Sequence, residues 1–150
     1  MQVYLASVGQ NSGLMMNIAP DTTGRVTAEH AARYEEAGQW VAACFGASNA
    51  QEAVVNQTSK ITIGPLTTSV DRVMIQEDQS QGQRITAYSL LDESRDAPIT
   101  VVAVGTSVGH KRIQLLGRTF PVGTILTLRI DKELAPAAVA RFAAFSPALC

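Results

Sequence analysis

The sequence predicts a mainly β protein in which an antiparallel β-sandwich follows one strand and one α-helix. From about residue 47 onward, short runs rich in β-branched residues alternate with glycine, proline and aspartate turn signals, which is typical of a sandwich. The run LTLRI places Leu126, Leu128 and Ile130 on one face of a strand and polar residues on the other. Before residue 47, the chain contains one short apolar run and one helical repeat.

The first element is the apolar run GLMMNI at residues 13–18. The sequence APDTTG follows it and carries proline, aspartate and glycine turn signals. A run that is apolar on both faces is typical of a strand buried on both sides, as in a parallel sheet. We therefore expect a buried strand at residues 13–18.

The second element is a helix over residues 27–45. Thr27 is a suitable N-cap, Glu29 lies favourably in the first turn, and Gly46 is a C-terminal stop signal. One strand and one helix cannot bury their apolar faces alone, so residues 1–46 resemble the end of a larger unit. The apolar face of the helix repeats at spacings of three and four through Ala31, Tyr34, Gly38, Val41 and Phe45.

The remaining elements are strands. Gly64-Pro65, Gly82, the stretch 92–98 and Gly117 are among the turn signals that separate them. We expect strands within the runs KITIG, VDRVMIQ, QRITAYSLL, PITVVAVG, KRIQLL, GTILTLRI and AAVARFAAF.

Composition limits the function. The 150 residues suit one domain, and a net charge of −1 with 46% apolar residues predicts a globular chain with no electrostatic preference for nucleic acid or a membrane surface. No run approaches the ~18 apolar residues of a membrane span. The N-terminus has no signal-peptide pattern, so the chain as written is expected in the cytoplasm. Asn56 begins an N-glycosylation pattern, NQT, which carries little weight without such a signal.

The sequence contains no credible catalytic or metal-binding constellation. The carboxylate pairs Glu77-Asp78 and Asp92-Glu93 are adjacent in sequence, and neighbours on a strand point to opposite faces, so neither pair can flank one scissile bond. The two histidines lack a third ligand at metal spacing. We therefore assign no catalytic residue, no metal site and no cofactor.

The stretch VGTSVGHKRI, residues 104–113, contains the most polar loop cluster. His110 and Lys111 could donate hydrogen bonds to sugar hydroxyls, and Gln83 in the run QGQR is the third candidate for carbohydrate binding. The alternative is a strand–turn–strand corner in which Gly109 permits the turn. We favour the corner.

The same two runs contain candidates for internal ion pairs. Arg112 could bind a ligand carboxylate, but pairing with Glu77 or Asp78 inside the protein is the simpler expectation. Arg84 follows Gly82 at a turn and is also expected to form an internal ion pair. Glu77, Arg84 and Arg112 are therefore predicted to be structural.

Several longer stretches resemble one enzyme family. YLASVGQNSGLMMNIAPDTTGRV resembles the last barrel strand and loop of α-L-fucosidases of glycoside hydrolase family 29, which read approximately Y-x-x-S-V-G-x-N-S-x-L-L-L-N-x-x-P-x-x-x-G. RVMIQEDQSQGQRITAYSL and VGTSVGHKRI resemble two stretches of the C-terminal sandwich of these enzymes, and AAVARFAAF resembles its closing strand. The matches occur in the order of the family and cover most of the chain.

The resemblance implies a division of the chain. Residues 1–46 would be the last strand and helix of a (β/α) barrel, and residues 47–150 a galactose-binding-like jelly roll. The catalytic aspartate and glutamate of the family lie on earlier barrel strands, and no position here matches them. The stretch between Gly46 and Lys60 is shorter than the corresponding stretch in the family. Proteins of the family are often lysosomal or secreted.

The resulting hypothesis is a non-catalytic α-L-fucosidase-like C-terminal domain with a carbohydrate-binding or accessory role. One alternative is a fragment of an active α-L-fucosidase that hydrolyses terminal α-L-fucose, and another is a protein-interaction module. The expected partners are a fucosylated glycan, and a catalytic barrel or second copy that contacts residues 1–26. This segment would expose an apolar edge formed by Leu14, Met15, Met16 and Ile18.

Overall fold

The computed structural model describes residues 2–55, 59–94 and 98–147. Two helices come first, α1 at Gln2–Ala6 and α2 at Ala28–Phe45. Eight strands follow in the described residues: β1 Ala50–Glu52, β2 Lys60–Ile63, β3 Val70–Glu77, β4 Ile85–Asp92, β5 Thr100–Gly105, β6 Arg112–Phe120, β7 Leu126–Glu133 and β8 Val139–Phe145.

The strands form two antiparallel four-stranded sheets, so the predicted β-sandwich is confirmed. The first sheet has the order β1-β8-β3-β6 and the second has the order β2-β7-β4-β5. Each of the seven runs predicted as strands overlaps one strand, although β6 and β7 extend three to four residues beyond their runs, whereas the three-residue β1 was not predicted.

The core lies between the two sheets. Tyr88 from the second sheet and Phe120 and Phe142 from the first are at most 2% exposed. Complete burial of such a side chain stabilises the folded state by about 1.5–3 kcal/mol. The aliphatic members of this cluster include Ile63, Val73, Ile75, Ile85, Leu90, Leu126 and Leu128.

The predicted helix is confirmed as α2. The side chain of Thr27 accepts a hydrogen bond from the His30 N–H, and the N–H of Gly46 donates to the Ala42 carbonyl at 2.9 Å. Only Cys44 and Phe45 are buried, so the helix contacts the sandwich through its C-terminal end. Phe45 packs there edge-to-face on Phe145, with ring centroids 5.5 Å apart.

The strand predicted at residues 13–18 is wrong. These residues form no strand, and Met15, Met16 and Ile18 are 91%, 50% and 42% exposed. A strand buried on both faces needs neighbouring strands for its hydrogen bonds and covering layers for its side chains. No described strand lies beside this segment, so its apolar residues alone do not produce a strand.

A polar network covers the outer face of the second sheet. Thr127 is one of the polar residues predicted on this face of β7, and it is fully buried there. Its hydroxyl donates to Glu93 at 2.8 Å and lies 3.1 Å from the Thr62 hydroxyl. Lys60 Nζ lies 2.8 Å from the other Glu93 oxygen, and this hydrogen bond is the main cause of the lowered pKa of Glu93.

A second part of the network lies beside it. The Ser89 hydroxyl donates to Asp131, and this hydrogen bond is the main cause of the lowered pKa of Asp131. Arg129 Nε donates to the other oxygen of the same carboxylate at 2.6 Å. These polar groups are therefore held by one another on the sheet surface.

Candidate functional site

The polar loop singled out in the sequence is a tight corner between β5 and β6. Gly109 has φ +63°, a conformation that favours glycine. Its N–H donates to Glu77 Oε2 at 3.1 Å, and its carbonyl accepts the Glu77 N–H at 2.9 Å. Gly105, at the end of β5, leaves no room for a Cβ because the Tyr88 ring occupies that space. Both glycines are therefore required by the structure of the corner.

Asn11 from the N-terminal segment fills this corner. Its Oδ1 accepts the His110 N–H at 2.7 Å, and its Nδ2 donates to Gln83 Oε1 at 3.2 Å. A Cβ on Gly109 would collide with the Asn11 carboxamide. Asn11 itself has φ 62°, which asparagine tolerates better than most residues. One carboxamide thus connects three segments of the chain.

The backbone on either side of Asn11 extends this contact along β6. The Asn11 N–H donates to the Lys111 carbonyl at 2.9 Å, and the Ile113 N–H donates to the Gly9 carbonyl at 2.8 Å. Gln10 forms an antiparallel bridge with Arg112 between these two bonds. Residues 9–11 therefore cover the first part of the free edge of β6.

Aromatic contacts hold α1 near the same corner. Lys111 Nζ donates to the Tyr4 hydroxyl at 3.5 Å. The Tyr4 ring lies 5.9 Å from the rings of both Trp40 and Phe45. Trp40 thus packs against α1 near the C-terminal end of α2. Residues 4–11 pack on the sandwich, and nearly all of residues 13–26 is exposed.

An apolar groove of about 650 Å³ opens between α1, α2 and the segment 7–18. The Tyr34 hydroxyl is buried at this groove without a hydrogen-bond partner in the described residues. Among the described residues, no aspartate or glutamate lines it. The lining residues are Val3, Tyr4, Val8, Leu14, Met16, Tyr34, Ala37, Gly38, Trp40 and Val41.

No protein-family model and no curated protein matches the sequence. Solved structures do match. A candidate α-L-fucosidase from Bacteroides thetaiotaomicron VPI-5482 is 30% identical with a TM-score of 0.86, and the match covers 97% of this chain and 33% of that one. The chain is therefore similar in structure to family 29 α-L-fucosidases, and its partial coverage of them is consistent with a C-terminal part.

Other solved structures agree. A candidate α-L-fucosidase from Bacteroides ovatus ATCC 8483 is 26% identical with a TM-score of 0.76, over 96% of this chain and 25% of that one. A Ruminococcus gnavus family 29 fucosidase, solved in complex with fucose, is 22% identical with a TM-score of 0.73. The match covers 97% of this chain and 35% of that one. The chain thus spans a quarter to about a third of these proteins.

The structure brings the three predicted sugar-binding residues together around Asn11. Gln83 accepts the bond from the Asn11 amide, and Lys111 donates to the Tyr4 hydroxyl. His110 is exposed, and its backbone contacts Asn11 and Gln76. Sequence reasoning missed Asn11, although it stands within the stretch that resembles the family 29 barrel end. Two of the three candidates therefore make side-chain contacts with the N-terminal segment.

The predicted ion pairs of Glu77 are wrong. Glu77 is 3% exposed, and its Oε1 accepts the N–H groups of Arg84 and Ile85 at 2.5 and 2.9 Å, while its Oε2 accepts that of Gly109. The carboxylate therefore binds converging backbone donors of two loops, and no guanidinium pairs with it among the described residues.

The two arginines have other surroundings. Arg84 donates to the Pro136 carbonyl at 2.7 Å and to Gln81 Oε1 at 2.8 Å. Arg112 Nε is buried and lacks a hydrogen-bond partner among the described residues. Asp78 forms no ion pair with Arg112 in the described part of the chain. It accepts the Ser80 N–H at 2.8 Å, a bond that lowers the pKa of Asp78.

Two searches of the described residues were negative. Within residues 2–55, 59–94 and 98–147, no cluster of histidine, cysteine, aspartate and glutamate could hold a metal ion. None of the helices in these ranges is long and apolar enough to span a membrane. Asn56, which begins the N-glycosylation pattern, lies outside the described residues.

Proposed function

We propose that this chain is an accessory, non-catalytic C-terminal part of a family 29 α-L-fucosidase. In this proposal residues 1–46 complete a catalytic barrel, and residues 47–150 form the sandwich that supports it. The chain spans 33% of the length of the Bacteroides thetaiotaomicron structure, which leaves room for a barrel in the remaining part. The whole protein would hydrolyse terminal α-L-fucose from glycoconjugates.

The open apolar groove carries this proposal. It places side chains from α1, α2 and residues 14–16 around a space that no described part of the chain fills. The Tyr34 hydroxyl has no partner there among the described residues, and a buried unsatisfied hydroxyl costs about 1–3 kcal/mol. Further chain packed into the groove would bury the apolar surface and supply that partner.

The groove does not support catalysis by this chain alone. Retaining glycosidases need two carboxyl groups ~5–5.5 Å apart across the glycosidic bond. The described residues that line the groove include no carboxyl group, and the buried carboxylate of Glu77 is occupied by three backbone N–H groups. We expect the isolated chain to release no aryl group from an aryl α-L-fucoside.

Co-expression of this chain with a barrel from a relative tests the proposal. The part of the Bacteroides thetaiotaomicron protein that this chain does not match would be expressed with this chain, and the complex would be isolated by gel filtration. We expect co-elution with wild type and with Val122→Glu, an exposed substitution outside the groove, but not with Val41→Glu inside it. Equal co-elution of both variants would contradict the proposal.

A second candidate function is binding of a fucosylated glycan. It is favoured by the convergence of His110, Lys111 and Gln83 on one surface around Asn11. Titration with L-fucose should shift the NMR signals of His110 and Lys111 but not those of His30, an exposed histidine on α2. Unchanged signals at saturating sugar would remove this candidate.

A further inference from the structure

The outer edge of β5 is an unprotected sheet edge. β5 pairs with β4 on one side, and no described strand lies on its other side. The strand contains neither a charged residue nor a proline. Ile99, just before the strand, is 65% exposed, and Val101 and Val104 within it are 60% and 67% exposed. A hydrophobic edge of this kind is a template for pairing with another strand.

The other three sheet edges are protected. The first part of β6 is covered by residues 9–11. β1 has three residues and ends at Glu52, which forms an ion pair with Arg141. β2 has four residues and begins with the charged Lys60. Short, charged or covered edges resist pairing, so β5 is the exception among the described strands.

A register shift in β5 determines which side chains face outward. Leu90 pairs with Ala103 and Leu91 pairs with Val101, so Val102 is an extra residue between them. Val102 and Ala103 both pack against the core. As a consequence, Val101 and Val104 are the two exposed apolar side chains of the strand, although they are three residues apart.

The outer edge of β5 is complementary to the same edge of a second copy. Antiparallel pairing of two β5 strands about the point between Val102 and Ala103 places Val101 of each copy opposite Val104 of the other. Thr100 then lies opposite Gly105. Such a contact has two-fold symmetry and closes after two copies.

We propose that β5 pairs with β5 of a second copy of this chain, joining two four-stranded sheets into one of eight strands. The strand has no charge to desolvate, and the net charge of −1 provides little repulsion between copies. Stable interfaces bury about 1,200–2,000 Å², more than one pair of six-residue strands supplies, so the dimer is weak and dissociates on dilution.

The pairing is independent of the proposed catalytic barrel. α2 and α1 pack on the first sheet, where Met74, Ile113 and Ala143 form their apolar contacts. β5 belongs to the second sheet. The edge therefore remains accessible whether or not further chain fills the groove.

Charge substitutions test this register. In Val101→Lys/Val104→Lys, two like-charged pairs face each other across the two-fold axis, and we expect the dissociation constant to rise at least ~10-fold. In Val101→Lys/Val104→Glu, each pair is of opposite charge, and association should return. The control is Val122→Lys, an equally exposed valine in the turn after β6, which should behave as wild type.

Sedimentation velocity over a concentration series measures association, and circular dichroism checks that each variant is folded. The expected wild-type result is a sedimentation coefficient that rises with concentration. A wild-type monomer at every concentration would overturn the proposal, as would equal behaviour of the two double variants. Loss of association in Met16→Glu but not in Val101→Lys/Val104→Lys would assign it to the groove and also overturn the proposal.

Discussion

Asn11 is the residue that ties the N-terminal segment to the sandwich. Its carboxamide and backbone together bind Gln83, His110 and Lys111, which lie on two different loops. The Asn11 carboxamide packs directly against Gly109, in the space that a Cβ at position 109 would occupy. A single side chain therefore determines how residues 9–11 lie along β6.

Asn11→Ala should detach the N-terminal segment without unfolding the sandwich. It removes two side-chain hydrogen bonds and places alanine at positive φ, for an expected loss of about 1–3 kcal/mol in local stability. The amide protons of His110 and Ile113 should exchange faster with deuterium, measured by NMR. Asn17→Ala, at an exposed position in the same segment, is the control. Unchanged protection at His110 would contradict the role of Asn11.

Glu77→Gln tests the buried carboxylate at the same corner. The amide that replaces it offers one acceptor oxygen to three backbone donors, so at least one buried N–H loses its partner. We expect the free energy of unfolding to fall by about 1–3 kcal/mol in urea titrations. Glu36→Gln removes an exposed ion pair with Arg33 and should cost less than about 1 kcal/mol. Equal effects of the two substitutions would be inconsistent with the geometry at Glu77.

At the scale of elements, α2 is anchored at one end. Its C-terminal end contacts the first sheet through Phe45, and residues 28–33 are exposed all round. Most helical stability in proteins comes from a packed face, so the unanchored half depends on its N-cap and on the groove being filled.

Two substitutions separate the halves of α2. Thr27→Ala should raise amide exchange in residues 28–33, since loss of an N-cap costs about 0.5–2 kcal/mol, and should leave the urea midpoint of the strands unchanged. Phe45→Ala should lower that midpoint, by about 3–5 kcal/mol in unfolding free energy. If Thr27→Ala destabilised the strands as much as Phe45→Ala does, the helix would be uniformly anchored instead.

At the scale of the whole molecule, the polar network of the second sheet predicts the response to acid. The pKa values of Glu93 and Asp131 are lowered in the folded state, chiefly by hydrogen bonds from Lys60 and Ser89. Between the folded and unfolded pKa values the unfolded chain binds more protons. The contribution of these groups to stability is therefore complete above the unfolded pKa values of about 4 and is lost as the pH falls through the folded ones.

Urea unfolding at a series of pH values measures this dependence. The free energy of unfolding should decrease as the pH falls below about 4. Glu93→Gln should flatten the profile in that range, because its side chain no longer titrates. A profile of Glu93→Gln parallel to that of wild type would show that the network does not contribute.

The helix and the seven longer strands could be predicted from the sequence because their signals are local. The helical face of α2 and the alternation in β7 are repeats within a few turns or residues, and each falls on the element it predicted. β1 was missed because three residues are too few to show a period.

The segment 13–18 and the contacts of the corner were decided only by the tertiary structure. The apolar run 13–18 has the composition of a buried strand, but strand hydrogen bonds need neighbours that the described chain does not place beside it. Likewise, the charge of Glu77 indicated that it needs a partner, and the partners proved to be backbone N–H groups of two loops. By itself, the sequence determined which residues are apolar, charged or able to turn. Which groups meet depends on contacts between residues distant in the chain, such as Asn11 with His110, and only the folded arrangement of both sheets specifies them.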